Sequence, residues 1–226
     1  MGTPSFAVPI LKALHKKKYL ISATYTQPPQ KSQRGQRYNK SPIHVISEEL
    51  NIECRTPRIL KGNNEEFNFF KKLDVDIVIV VAYGQIIPND FLDLSKKGFI
   101  NIHASLLPKW RGAAPIQRSI INLEKETGIS IMKIGEKLDT GPVCNSYKID
   151  IKENDNAETI STKLSILASE KISENIDGIL DDTVRFKEQD HNNATYASKI
   201  KKSEGEIKWN DNAENIIGKI NGLYPS

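Results

Sequence analysis

Three side chains in this sequence could share one piece of chemistry: the amide of Asn101, the imidazole of His103 and the carboxylate of Asp139. The stretch Asn101-Ile102-His103-Ala104-Ser105-Leu106-Leu107-Pro108 leaves the carboxyl end of an apolar run that reads as a buried strand. Open α/β sheets place their ligand crevices at such ends. Residues two apart on extended chain project from the same face, so the amide and the imidazole would point together. That pair suits a carbonyl under attack, because the amide donor can meet a developing oxyanion and the ring can exchange protons near neutral pH. Leu138-Asp139-Thr140-Gly141 follows Gly135 and could return a carboxylate to the crevice. A carboxylate there would fix the tautomer of the histidine and order a water for proton relay. Each element has a plainer reading by itself. Asn-x-His also describes a histidine that only packs, and Asp-Thr-Gly also describes an Asx-turn.

The elements that must position these groups read as strands alternating with helices. Residues 75–82 form a nearly continuous Val/Ile run, the pattern of a parallel strand covered on both faces. Residues 98–102 read as a second strand, and residues 129–134 and 143–151 as a pair joined hairpin-fashion across the turn that carries Asp139. Helices are predicted from Phe6, Ile10, Leu11 and Leu14 with Ser5 as N-cap, from residues 43–50, and around Phe67, Phe70 and Leu73. A long amphipathic helix is predicted over residues 156–177, with Ile160, Leu164, Leu167 and Ile172 inward. Tyr19 to Tyr25 reads as a short strand, and a weak helix is expected over residues 212–220. The fold class is therefore α/β with a mostly parallel sheet. Gly2-Thr3-Pro4 looks like the turn after a strand, so a first strand is expected to be missing and the chain to be cut short at both ends. The organisation expected is a catalytic domain over residues 1–190, a polar linker over 191–206, and the start of a further domain over 207–226.

Composition narrows the function. A 226-residue chain with 38% hydrophobic and 27% charged residues can build a core. Cys54 and Cys144 lie far apart, which argues against a disulfide framework and fits a reducing cytoplasm. His15, His44, His103 and His191 are too scattered for a metal site, so no metal is expected. The longest apolar run is too short for a membrane span, and no leader opens the chain. Net charge is +4, yet residues 1–47 contain eight Lys or Arg and no Asp or Glu. Such a basic front suits a polyanion, although a solvated lysine face would look the same. Residues 27–41 carry Pro28-Pro29, Gly35 and four basic residues without apolar periodicity, and read as an exposed loop.

The motifs taken together resemble the methionyl-tRNA formyltransferases, within the wider formyl-folate transferases. The resemblance rests on Asn101-x-His103-x-Ser105-Leu106-Leu107-Pro108, on Trp110-Arg111-Gly112-Ala113-Ala114-Pro115-Ile116-Gln117 and on Leu138-Asp139-Thr140-Gly141. Gly2-Thr3-Pro4-Ser5-Phe6-Ala7, Gln27-Pro28, Val81-Ala82-Tyr83-Gly84 and Thr195-Tyr196-Ala197-x-Lys199-Ile200 match in order. The resemblance implies a Rossmann-like catalytic domain followed by a C-terminal barrel beginning near the chain's end. It implies formyl transfer from 10-formyltetrahydrofolate to initiator methionyl-tRNA by Asn101, His103 and Asp139. It implies a folate site lined by Tyr83, Gly84, Ser105, Leu106, Leu107 and Pro108. The exposed loop would meet the acceptor stem through Arg34, with Arg37 and Lys40 adding phosphate contacts. Trp110 reads as packing or as part of the folate loop, and Arg111 as an anchor through a carboxylate. A cytoplasmic monomer without membrane attachment is expected. An amino-sugar-nucleotide formyltransferase, or a non-catalytic formyl-folate- or RNA-binding module, are the competing readings.

Overall fold

The computed structural model describes residues 1–31 and 38–225 and divides into two compact units. The first comprises Met1–Asn101 with Ser169–Val184, and the second Ile102–Ala168 with Arg185–Ser226.

In chain order the first unit contains α1 (Val8–Lys16), β1 (Thr24–Tyr25), β2 (Gln30–Lys31), β3 (Tyr38–Asn39), α2 (Pro42–Glu49), β4 (Cys54–Arg55), α3 (Asn64–Lys72), β5 (Val78–Val80) and α4 (Asn89–Leu92). It also holds most of β6 (Phe99–His103), whose last two residues belong to the second unit. β1 pairs in parallel with β4, and β5 in parallel with β6, Val80 standing opposite Asn101. Apolar residues at helical spacing, Ile10, Leu11 and Leu14, bury one face of α1. Tyr25, Phe91 and Phe99 gather around Phe70 with ring centroids 5.7–5.8 Å apart, a spacing at which edge and offset contacts are favourable. Asn63 caps α3 through the Glu66 amide, with Glu65 and Glu66 at its start and Lys71 and Lys72 at its end, as the helix dipole favours.

Two expectations change here. Ser5 caps nothing: Ser5–Ala7 form a turn of 3-10 helix and α1 begins at Val8 without a side-chain cap. Pro9 in the first turn removes one of the amide donors that a cap would serve. The strand expected over residues 19–25 shrinks to Thr24–Tyr25, and Leu20 is exposed. Where a preceding strand was expected, Met1 and Gly2 stand between β1 and β5. The Met1 amine donates to the Ile79 carbonyl, Gly2 N donates to the Tyr25 carbonyl, and Gly2 bridges Val81 in parallel. Beside them lies a cavity of about 330 Å³ lined by Ile10, Leu14, Ile21, Ile77 and Ile176 among others.

The second unit contains β7 (Arg111–Gly112), α5 (Pro115–Ile121), β8 (Glu126–Lys133), β9 (Val143–Asp150), the first half of α6 (Ala157–Leu180), β10 (Tyr196–Ala197) and α7 (Ala213–Leu223). β8 and β9 pair antiparallel, with Lys133 N donating to the Pro142 carbonyl where the connecting turn closes. Thr127 through Met132 are all buried. α6 buries Ile160, Leu164 and Ala168 in this unit and Ile172, Ile176 and Ile179 in the other, with Ala168 rather than Leu167 fully inward. β10 pairs in parallel with β7, so the segment expected as a linker contributes a strand and two 3-10 turns.

The expected barrel start is overturned. Among the described residues no sheet closes or curls, and Ala213–Leu223 form α7 instead. Ala213, Ile216, Ile217, Ile220 and Leu223 recur at spacings of three and four, a helical rather than an alternating period, and the Asn212 side chain caps the first turn through Asn215 N. α7 lies on α5 and contributes no side chain of its own to the contact at Gly218 and Gly222. A β-carbon on Gly222 would stand 2.5 Å from Ile121 Cγ1 and 3.0 Å from the Gln117 carbonyl oxygen. No described helix is long and apolar enough to cross a membrane.

Candidate active site

β6 carries Asn101 and His103 two residues apart, so their side chains leave one face of the strand. Asn101 belongs to the first unit, opposite Val80, and is partly exposed. His103 belongs to the second unit and is 6% exposed. Its Nε2 lies 2.9 Å from the Trp110 carbonyl oxygen. A carbonyl only accepts, so Nε2 carries the proton and Nδ1 is the nitrogen left to exchange one. That nitrogen faces Asp139 Oδ2 at 3.6 Å.

Asp139 sits in the turn between β8 and β9 with φ +51, left-handed backbone that costs a non-glycine residue about 1–3 kcal/mol. Neighbours hold it there. Gly112 N donates to Asp139 Oδ2 at 2.8 Å, fixing the same oxygen that faces the imidazole. Gln189 Nε2 donates to the carbonyls of Asp139 and Gly141 at 2.9 and 2.7 Å. Gly112 itself has φ +120, and a β-carbon there would come within 2.7 Å of the Ala197 carbonyl oxygen. Only glycine allows β10 so close.

The residues expected to line a folate site fall into two groups, each with its own support. In the second unit, Ser105 is fully buried and its hydroxyl donates to the Lys109 carbonyl at 2.6 Å. Ser130, also fully buried, accepts from Leu107 N at 3.0 Å and donates to the Ser105 carbonyl at 2.8 Å. Leu106 and Pro108 complete this turn, half-buried. A cleft of about 310 Å³ opens beside it, lined by Leu107, Pro108, Ser146, Lys187 and Gln189 among others. In the first unit, Tyr83 offers backbone rather than side chain. Its ring is 2% exposed, and burial pushes its phenol upward. Its carbonyl accepts from Thr3 Oγ1 at 2.8 Å and from Gln27 Nε2 at 3.3 Å. Gly84 is exposed, with φ +80.

Of the basic residues expected to meet phosphate, Arg34 and Arg37 lie outside the described residues. Lys40 is exposed and pairs with Glu48 at 2.6 Å. Arg111 anchors as expected but not through the expected group. Its guanidinium, 2% exposed, donates to Gln189 Oε1 from Nε at 3.1 Å and Nη2 at 2.7 Å, and to His191 Nδ1 at 2.8 Å. Trp110 is half-buried with φ +60; its carbonyl serves His103 and its amide donates to Thr195 Oγ1. Gln189 and Ser130 carry no motif of their own, and sequence reading passed over both.

Among the described residues, no three His, Cys, Asp or Glu side chains gather as metal ligands. Burial pushes the Cys144 thiol up to about 11, which keeps it protonated and a poor nucleophile at neutral pH. What the site offers is proton transfer and oriented polar groups.

The Formyl transferase family model matches residues 1–176. The methionyl-tRNA formyltransferase of Pelagibacter ubique is 76% identical over 226 residues, covering 100% of this chain and 73% of the relative. That of Thermodesulfovibrio yellowstonii is 43% identical, covering 99% of this chain and 72% of its own length. Among solved structures, the N-formyltransferase from Helicobacter canadensis in complex with folinic acid and dTDP-3-aminofucose superposes with a TM-score of 0.75. It is 21% identical and covers 98% of this chain and 78% of its own. The phosphoribosylglycinamide formyltransferase of Bacillus halodurans gives 0.67 at 20% identity, covering 80% and 94%. These distant likenesses establish a formyltransferase-like α/β fold; the family model and the close relatives establish kinship, and the chain belongs to the formyl transferase family, among the methionyl-tRNA formyltransferases.

Proposed function

We propose that this protein transfers the formyl group of 10-formyltetrahydrofolate to the free α-amine of initiator methionyl-tRNA, acting as a cytoplasmic monomer. The observation that carries the reading is 76% identity along the entire chain to a methionyl-tRNA formyltransferase. The amine nitrogen attacks the formyl carbon, whose oxygen takes up negative charge. The bond from that carbon to N10 of the folate then breaks, and a proton passes from the amine to N10.

Asn101 donates to the oxyanion, a contribution of about 3 kcal/mol. His103 takes and returns the proton at Nδ1, since its Nε2 proton is committed to the Trp110 carbonyl. Asp139, whose Oδ2 lies 3.6 Å from Nδ1, balances the imidazolium that forms. Residues 105–108 and the backbone at Tyr83 and Gly84 receive the folate. Arg34, Arg37 and Lys40 meet the tRNA backbone, where phosphate would compete with Glu48 for Lys40. That exposed ion pair is weak enough to yield.

The test is formyl transfer from labelled 10-formyltetrahydrofolate to charged initiator tRNA and, in parallel, to an amino-sugar nucleotide. Transfer to the tRNA alone is expected. Preference for the sugar would replace this reading, and folate binding without transfer to either would make the protein a binding module.

A further inference from the structure

We infer that Gln189 is a positioning residue for Asp139, a role that rests on the formyl-transfer reading for its consequence but not for its geometry. Gln189 lies in an extended segment next to the bridge between Lys187 and Val143, and is 7% exposed. Its amide spans two structures. Nε2 donates both protons to the turn, one to the Asp139 carbonyl and one to the Gly141 carbonyl. Oε1 accepts twice from the Arg111 guanidinium. A primary amide has two donors and two lone pairs, and all four are engaged here.

The orientation of that amide is set from behind. A guanidinium only donates, so Arg111 can approach only the oxygen end, and the nitrogen end must face the turn. Arg111 Nη2 also donates to His191 Nδ1, which places the proton of that ring on Nε2 and holds the guanidinium in turn. Arg111 is the neighbour of Gly112, whose amide grips the Asp139 carboxylate. The main-chain carbonyl and the side-chain oxygen of Asp139 are thus held from one short strand, the first through Gln189 and the second directly. Asp139 stays in left-handed backbone because both ends are tied. Releasing the carbonyl end lets the turn relax and carries the carboxylate away from His103 Nδ1.

Gln189→Glu separates this role from simple packing. Glutamate keeps the size and strengthens the acceptor for Arg111, and an unchanged circular-dichroism spectrum checks that the fold is retained. It removes both donors and sets a carboxylate oxygen against two carbonyls. Formyl transfer is expected to fall in kcat by about ten- to a hundredfold while KM for both substrates stays near wild type. In an Asp139→Asn background the same change should add little further loss, since it acts through Asp139. Hydrogen exchange gives an arm independent of turnover: the Gly112 amide, protected by the Asp139 carboxylate, should exchange about tenfold faster in Gln189→Glu, for the loss of one hydrogen bond. Wild-type kcat in that variant, or unchanged protection of Gly112, would overturn the assignment. Absence of any transfer by the wild-type protein would sink the functional reading alone, and the exchange measurement would still decide this one.

Discussion

Two turns of the second unit are held by opposite means. Residues 105–108 are held by two buried hydroxyls, that of Ser105 on the Lys109 carbonyl and that of Ser130 from beneath. Ser130 spends its single proton on the Ser105 carbonyl and accepts from Leu107 N, so Ser146, 2.9 Å away, must donate to it. The Asp139 turn is held from outside by a planar amide and a backbone N–H. A hydroxyl rotates to suit its partners, whereas an amide locked by a guanidinium cannot. In the proposed function, the turn that would receive the folate has an adaptable support, and the turn that carries Asp139 has a rigid one.

Asp139→Asn tests the contrast most directly. It keeps an acceptor for Gly112 but cannot balance an imidazolium, so kcat should drop about 10²–10⁴-fold, with the melting temperature little changed. Near-normal turnover would remove Asp139 from the mechanism. A smaller effect is expected from Ser130→Ala, which strands buried groups at Leu107 and Ser105 and should cost about 1–3 kcal/mol in urea unfolding. Its kinetic trace should be a raised KM for the formyl folate. A kcat loss as deep as that of Asp139→Asn would erase the distinction between the two turns.

The smallest effect concerns pH, and it probes the segment after Ala197 that follows the one bearing Gln189. Hydrogen bonds from Arg118, then from Lys201 N, hold the Glu204 carboxyl down to about 2. A depressed carboxylate stabilises the folded state above its unfolded value of 4.5, and that share is lost as pH falls from there toward 2. The urea midpoint of wild type should therefore decline over this window more than that of Glu204→Gln. Parallel declines would mean that the exposed pair contributes nothing.

How much could be read from sequence follows from how local each determinant is. His103 and Asp139 were legible because strand ends and glycine-bracketed turns leave marks within a few residues. Gln189 was not, because its partner carbonyl lies 50 residues away and nothing beside it in sequence announces the pairing. The strand expected over residues 75–82 narrows to Val78–Val80 because pairing, not composition, defines a strand. Val78 stands opposite Phe99 and donates from N to the Gly98 carbonyl, whereas on the other side the Ile79 carbonyl accepts from the Met1 amine. The barrel was expected from the resemblance rather than from residues 207–226, whose own spacing already favoured a helix. Arg34 and Arg37 fall outside the described residues.

The bare approach of α7 to α5 has a consequence far from either helix axis. Gly218 and Gly222 both meet α5, at Gln117, Ile120 and Ile121, and the first residue of α5, Pro115, comes three positions after the glycine that grips Asp139. A single methyl group added at Gly222 would have to push α5 aside, so a change near residue 222 is expected to be felt along the helix that starts beside Gly112 and not in α7 alone.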